Sequence, residues 1–170
     1  MSEQDRIVEH IPRLRRYARA LVGRAGEADD LVQDTLARAM DRLHTWRPER
    51  DLRVWLFALM HNLHVDQGRA RRARPEVALG EEALAAPAPG AGEPPDVLAH
   101  RRLAWALARL PEPQRQVVLL VSLEQLTYDE VARALELPVG TVMSRLSRGR
   151  AALRALLQGE GLGPQLEVVK

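Results

Sequence analysis

Residues 127–150 carry the pattern that most narrows the possible folds, because they describe two helices joined by a tight turn. Glu130 follows Thr127 by three residues, the spacing at which a hydroxyl and a carboxylate cap the start of a helix reciprocally. Apolar residues then recur at the spacing of one helix face, at Tyr128, Val131, Ala132 and Leu135. Pro138 is expected to end this helix, because proline has no N–H to donate. The sequence therefore predicts a helix–turn–helix.

The second helix of this pair is basic, with four arginines and no acidic side chain between residues 139 and 157. We expect its inner face to carry Val139, Val142, Leu146 and Leu153. The opposite face is expected to carry Thr141, Ser144, Arg145 and Arg148. Such a helix can lie in the major groove of duplex DNA, where arginine pairs with guanine edges or phosphates. The alternative is an ordinary helical hairpin whose arginines only face solvent.

The composition favours a helical protein without disulfides or membrane spans. Aromatic residues make up only 4% of the 170 residues, so cores must be built from Leu, Val and Ala. The absence of cysteine excludes disulfides and zinc–thiolate sites within the chain. No apolar run is long enough to span a bilayer and the N-terminus is unlike a signal peptide, so we expect a cytoplasmic location.

Charge is distributed unevenly along the chain, in a way that indicates two domains. Residues 53–74 carry five basic side chains and one acidic one, and residues 97–157 carry nine and five. Residues 75–96 carry five acids and no base, in a stretch dominated by Pro, Ala, Gly and Glu. This composition predicts a flexible linker between two basic zones that can neutralise phosphates.

The predicted fold is all-α, with two small helical domains joined by this flexible linker. The bounds are 5–73 for the first domain, 74–96 for the linker, 97–157 for the domain with the helix–turn–helix, and 158–170 for a frayed tail. The first domain is expected to hold a helix through Ile7, Ile11, Leu14, Ala18 and Leu21, broken by Gly23 and Gly26. Two further helices carry Val32, Leu36, Ala39 and Leu43, then Leu52, Trp55, Leu56, Leu59 and Leu63. Helices at 97–110 and 114–123 precede the helix–turn–helix.

Three blocks occur in a characteristic order: ADDLVQDTLARA at 28–39, WLFALMHNLHVDQGR at 55–69, and LPEPQRQVVLL at 110–120 followed by residues 127–150. Together they resemble the extracytoplasmic-function (ECF) sigma factors, two-domain bacterial transcription initiation factors of the sigma-70 family. The resemblance implies that the first block binds core RNA polymerase, that the second opens the −10 promoter element, and that the third reads the −35 element.

The resemblance also implies three sets of contact residues. The set expected to bind polymerase is Asp29, Asp30, Gln33, Asp34 and Ala37. The set expected at the −10 element is Trp46, His61, Asn62, Asp66, Arg69, Arg71 and Arg72. The set expected at the −35 element is Thr141, Met143, Ser144, Arg145, Arg148 and Arg150. Trp46, in the loop at 45–51, can offer a stacking surface to a flipped base, whereas Trp55 is expected in the core.

Two positions depart from common patterns. Met143 stands where the family often has Arg or Lys, so we expect it to influence this chain's own promoter preference. Glu136 stands where many helix–turn–helix units have glycine, which is tolerable if the turn is shifted toward Pro138 and Gly140.

Two other function classes remain open from the residues alone. A stand-alone helix–turn–helix regulator would bind a palindrome as a dimer, but no dimerisation helix is evident and residues 28–69 would have no purpose. A protein-interaction module would use its basic faces on an acidic inhibitor. The family resemblance implies such a partner, an anti-sigma factor, besides core RNA polymerase and promoter DNA. We expect no catalytic site, cofactor or small-molecule substrate, no metal site at His61 and His64, and no stable homodimer.

Overall fold

Helices form all the regular structure in the part of the chain that the structure, a computed structural model, describes: residues 1–73 and 86–162, with side chains through residue 159. The helices of the first domain are α1 (Glu3–Glu9), α2 (Ile11–Val22), α3 (Ala25–Arg42) and α4 (Leu52–Arg72), with a short 3₁₀ turn at Leu43–Thr45. Those of the second are α5 (Pro95–Arg109), α6 (Glu112–Ser122), α7 (Tyr128–Leu135) and α8 (Val139–Leu162). The all-α prediction is confirmed.

The predicted linker and tail are only partly covered by these elements. Residues 74–85 of the linker and 163–170 of the tail lie outside the described residues. Residues 86–94 lie beside α5, where the guanidinium of Arg101 pairs with Glu93 at 2.8 Å. Residues 159–162, predicted to fray, continue α8.

The single first helix predicted from the apolar spacing is two helices, α1 and α2, which meet at His10. Pro12 lies in the first turn of α2, where its missing N–H costs nothing, but it could not donate inside a longer continuous helix. Gly23 ends α2, as predicted, and it takes the left-handed conformation at φ 76°. Gly26 does not interrupt a helix. It lies in the first turn of α3, where backbone N–H groups have no intrahelical partner to lose.

The core of the first domain lies between α2, α3 and α4. Its fully buried side chains are Leu14, Leu31, Val32, Thr35, Leu56 and Met60. Tyr17 and Phe57 meet edge to face, with ring centroids 5.2 Å apart, and the Thr35 hydroxyl donates to the carbonyl of Leu31 at 2.7 Å. Trp55 is half-buried and packs against this core, as predicted.

The second domain is built on the packing of α6 against α8 and on the α7–α8 pair. Gly149 of α8 is buried against α6, and a Cβ there would lie 2.7 Å from Val118 Cγ2. A side chain at residue 149 would therefore force these helices apart. At the start of α7, the Thr127 hydroxyl accepts from the Glu130 N–H and the Glu130 carboxylate accepts from the Thr127 N–H, both at 3.1 Å. The predicted capping box is confirmed.

The turn between α7 and α8 occurs at Glu136 itself. Helix α7 ends at Leu135, and Glu136 takes the left-handed conformation at φ 54° and ψ 50°. The N–H groups of Glu136 and Leu137 both donate to the carbonyl of Ala132, which fixes the turn ahead of Pro138. The expected shift toward Pro138 and Gly140 is therefore wrong, and Gly140 lies in the first turn of α8.

Replacing Glu136 with glycine is expected to raise the free energy of unfolding by about 0.5–1 kcal/mol. The left-handed conformation costs a residue with a Cβ roughly 1–2 kcal/mol, and the extra freedom of glycine in the unfolded chain offsets about half of that gain. Urea denaturation followed by circular dichroism measures the difference. Glu136→Ala keeps the Cβ and serves as control, so equal stability of the Gly and Ala variants would contradict the argument.

The two domains pack against each other, α4 against α7 and α2 against α5 and α6. Within the described parts of the chain, three acid–base pairs join them, each with the base on the first domain and the acid on the second. Arg16 binds the buried carboxylate of Glu124 at 3.1 and 3.2 Å, and burial raises the pKa of this carboxyl. Arg53 Nη2 lies 3.0 Å from Glu130 Oε2, and His64 contacts Glu112. In addition, Arg115 donates to the carbonyl of Leu21 at 2.7 Å.

Candidate nucleic-acid and polymerase interfaces

Helix α8 presents one face to the core and a broad basic face to solvent. Val142, Leu146 and Gly149 are buried, and they define the inner side. The exposed predicted residues are Met143, Ser144, Arg148 and Arg150. Thr141 and Arg145 lie on the flank and are half-buried. The predicted −35 residues thus share α8, but only four of the six face fully outward.

Val139 does not face the core, contrary to the prediction. Its side chain is 37% exposed at the start of α8, where it lines a shallow hollow with Ala132 and Leu137. Sequence reasoning also missed Ser147, which is exposed between Ser144 and Arg148. The signal was present, since residue 147 lies three and four positions after Ser144 and Met143 on one helix face.

The exposed side of α4 brings together part of the predicted −10 set. Asn62, Asp66 and Arg69 are exposed on the side opposite the buried Leu59 and Leu63. Arg71 and Arg72 follow at the exposed end of the helix, and Arg71 Nη1 lies 3.4 Å from Glu27 Oε2. An amide and guanidinium groups along one face suit contact with base edges and phosphates.

The other two members of the −10 set, Trp46 and His61, are not freely accessible. Trp46 is only 5% exposed, its indole N–H donates to the carbonyl of Arg50 at 3.1 Å, and the Arg6 guanidinium lies 5.0 Å from its ring centroid. The structure contradicts the predicted stacking surface, because the ring is buried and its N–H is bonded within the chain. His61 is half-buried on α4, and burial lowers its pKa; the nearby Arg145 acts in the same direction, while Glu136 and Glu112 oppose it.

Helix α3 presents an acidic surface. All five residues predicted to contact polymerase are exposed on it: Asp29, Asp30, Gln33, Asp34 and Ala37. Asp34 accepts a hydrogen bond from the Gln67 amide at 3.0 Å, and Asp29 lies 3.8 Å from the Arg19 guanidinium. Met40, three residues after Ala37, is 44% exposed and adds an apolar edge that sequence reasoning did not single out. This surface suits a partner that is basic and partly apolar.

An apolar groove of about 610 Å³ lies where α2 of the first domain meets α5, α6 and α8 of the second. Its apolar lining includes Ala20, Leu103, Leu107, Leu119, Leu123 and Leu153. Arginines border it on both domains, namely Arg16, Arg19, Arg150 and Arg154. Sequence reasoning missed the groove because it exists only where the two domains pack together.

Family models match both halves of the chain. The model described as the sigma2 domain of PhyR matches residues 7–61, and the model for sigma-70 region 4 matches residues 100–153. The ECF RNA polymerase sigma factor EcfG of Rhodopseudomonas palustris is 36% identical over 163 residues, which cover 94% of this chain and 87% of the relative. The chain belongs to the extracytoplasmic-function sigma factors.

Two solved structures are similar to this ECF sigma factor over most of its length. The sigma factor RpoE from Bartonella quintana, in complex with the anti-sigma factor NepR, matches with a TM-score of 0.75 and 28% identity over 91% of this chain and 95% of that one. CnrH, in complex with the cytosolic domain of CnrY, matches with a TM-score of 0.67 and 28% identity over 92% and 87% of the two chains.

The matched regions contain most of the candidate surfaces. The acidic face of α3 lies within the sigma2 match, and α7 and the outward face of α8 lie within the region 4 match. Among the described residues, no helix combines the length and apolarity required to cross a bilayer.

Proposed function

We propose that this ECF sigma factor binds core RNA polymerase through the acidic face of α3 and directs transcription initiation from promoters with matching −10 and −35 elements. Asn62, Asp66 and Arg69 of α4 contact the opened −10 element, and the outward face of α8 contacts the −35 element. The protein acts in the cytoplasm and supplies promoter choice, while polymerase supplies the chemistry.

The observation that carries this proposal is the presence of two exposed surfaces of opposite charge on one chain, in a member of this family. The face of α3 is acidic and suits a protein partner, whereas α8 between residues 139 and 157 is basic without any acid and suits DNA. A stand-alone DNA-binding regulator would need the second surface and not the first.

Simultaneous contact with both promoter elements requires the two domains to separate. The −10 and −35 elements lie about 25 base pairs apart, or about 85 Å along B-form DNA, whereas α4 packs directly against α7 in this structure. Opening breaks the Arg16–Glu124 and Arg53–Glu130 pairs. Polymerase binding would then hold the domains apart.

Run-off transcription with core polymerase on a genomic DNA library tests the proposal. We expect transcripts that start downstream of a shared pair of elements, none with core polymerase alone, and co-elution of the protein with core polymerase in size-exclusion chromatography. A chain that neither co-elutes with core polymerase nor gives any transcript would refute this function.

An anti-sigma factor is the regulator we propose for this protein, seated in the groove between α2, α5, α6 and α8. Both similar structures contain a second protein, NepR or CnrY, and an apolar groove edged by arginines suits an amphipathic helix with acidic flanks. The run-off assay tests this point with a candidate anti-sigma factor, one that binds this protein in solution. That factor should inhibit the wild type and spare Leu103→Glu, and equal inhibition of both would exclude the groove.

A further inference from the structure

Val139 and Met143, one helical turn apart on α8, form a pair of partly exposed apolar side chains, the apolar pair. Val139 is 37% exposed and Met143 is 50% exposed. The helix does not need them for its own packing, because Val142 and Leu146 already fill the inner side at 0% and 3% exposure. About a third of Val139 and half of Met143 therefore remain exposed at the start of this helix, and this apolar surface is available for a contact outside the domain.

The surroundings of the apolar pair select a polyanion as its partner. Arg148, Arg150 and Arg154 are exposed on the same helix, which carries no acid between residues 139 and 157. Asp129 of α7 shares a hollow with Val139, but Arg133 lies in the same hollow and offsets its charge. A second copy of this chain would bring its own arginines against these, which is unfavourable. Duplex DNA instead matches the positive charge and offers a groove wide enough for a helix.

The neighbours of the apolar pair permit a close approach to base edges. A Cβ at Gly140 would meet nothing within 4 Å, so packing within the domain does not require glycine there. Because glycine has no side chain, nothing projects from the helix surface at this position. Ser144 is also short, and its hydroxyl donates to the carbonyl of Thr141 at 3.2 Å. Gly140 and Ser144, the exposed neighbours of the two apolar side chains, therefore offer few hydrogen-bonding groups to base edges.

We propose that the apolar pair contacts thymine methyl groups in the −35 element, so that this sigma factor recognises thymines by apolar contact. The C5-methyl of thymine is the one apolar group that base pairs present in the major groove. The inference rests on the proposed function, since it assumes that α8 lies in the groove of that element. Arg148 and Arg150 then supply the contacts to guanine or phosphate on either side.

The experiment replaces thymine with deoxyuridine, which removes the methyl group and keeps the base pair. With the −35 element defined by run-off transcription, each thymine on either strand is replaced in turn, and promoter binding by the holoenzyme is measured. At a contacted thymine, the wild-type holoenzyme should bind about fourfold more weakly, as expected for the loss of one buried methyl group. Holoenzyme with Met143→Ala or Val139→Ala should lose this difference at one contacted thymine, so that it binds the promoters with thymine and with deoxyuridine there equally well.

Val97→Ala is the matched control, because Val97 is 46% exposed on α5 and lies outside the helix–turn–helix. This variant should keep the full sensitivity to deoxyuridine. Equal binding of all thymine and deoxyuridine promoters by the wild type, with dependence on the −35 element retained, would overturn the inference and leave the proposed function standing. A −35 element without A·T pairs would also overturn the inference. The same holds if the Met143 and Val139 variants change self-association or regulator binding but keep the sensitivity to deoxyuridine. Binding that does not depend on any −35 element would refute the proposed function itself.

Discussion

Asp30→Arg combined with Asp34→Arg is expected to weaken binding to core RNA polymerase by about 100-fold or more. Both carboxylates are exposed on α3 and project from the face that also carries Gln33 and Ala37. Against a basic partner surface, each reversal removes an attraction and adds a repulsion, and like charges held together across an interface cost several kcal/mol. Asp34 accepts a hydrogen bond from Gln67 at an exposed position, so the loss of this bond costs little stability. Titration of fluorescently labelled protein with core polymerase measures the change.

A variant with the same change in net charge separates a local effect from a general one. Glu3→Arg combined with Glu9→Arg changes two exposed acids of α1, away from the α3 face, and should bind core polymerase like the wild type. Circular dichroism should give the same helical content for all three proteins. Unchanged binding by the α3 variant, or equal weakening by the α1 variant, would show that polymerase does not recognise this face.

The sequence predicts the local structure well where a single chemical signal dominates. The capping box at Thr127 and Glu130 and the left-handed end of α2 at Gly23 follow from hydrogen bonding and backbone sterics within a few residues. Local signals fail where two of them compete. The apolar spacing from Ile7 to Leu21 continues through Pro12, and periodicity alone gives one helix where the proline requires two.

The arrangement of the two domains could not be predicted from the sequence, because it depends on contacts between residues far apart in the chain. Arg16 and Glu124 are 108 positions apart, and neither stands out in its own segment. The burial of Trp46 and the groove between α2 and α8 are equally non-local. A tryptophan in a loop at 45–51 suggests a surface for stacking, and only the placement of the 3₁₀ turn, Arg6 and Arg50 around it shows that the ring is buried.

Arg145→Ala combined with Arg148→Ala is expected to lower −35-dependent transcription by about 100-fold or more and to leave polymerase binding unchanged. Arg148 is exposed on the outward face of α8, and Arg145 lies on its flank, where it becomes accessible once α4 and α7 separate. Each arginine that pairs with a guanine edge contributes about 1–3 kcal/mol, so two together suffice for an effect of this size. Run-off transcription from a promoter with an intact −35 element, compared with one in which that element is scrambled, measures the loss.

Arg13→Ala combined with Arg15→Ala provides the matched control, because both arginines are exposed on α2 and their loss changes the net charge equally. This control should transcribe like the wild type. Arg150→Ala is a useful third variant, since an arginine that meets only phosphate should weaken binding to all promoters alike and reduce the salt dependence of affinity by about one unit. If the double variant of α8 no longer binds core polymerase, the division of roles between α3 and α8 is incorrect, because the charge removed lies in the second domain.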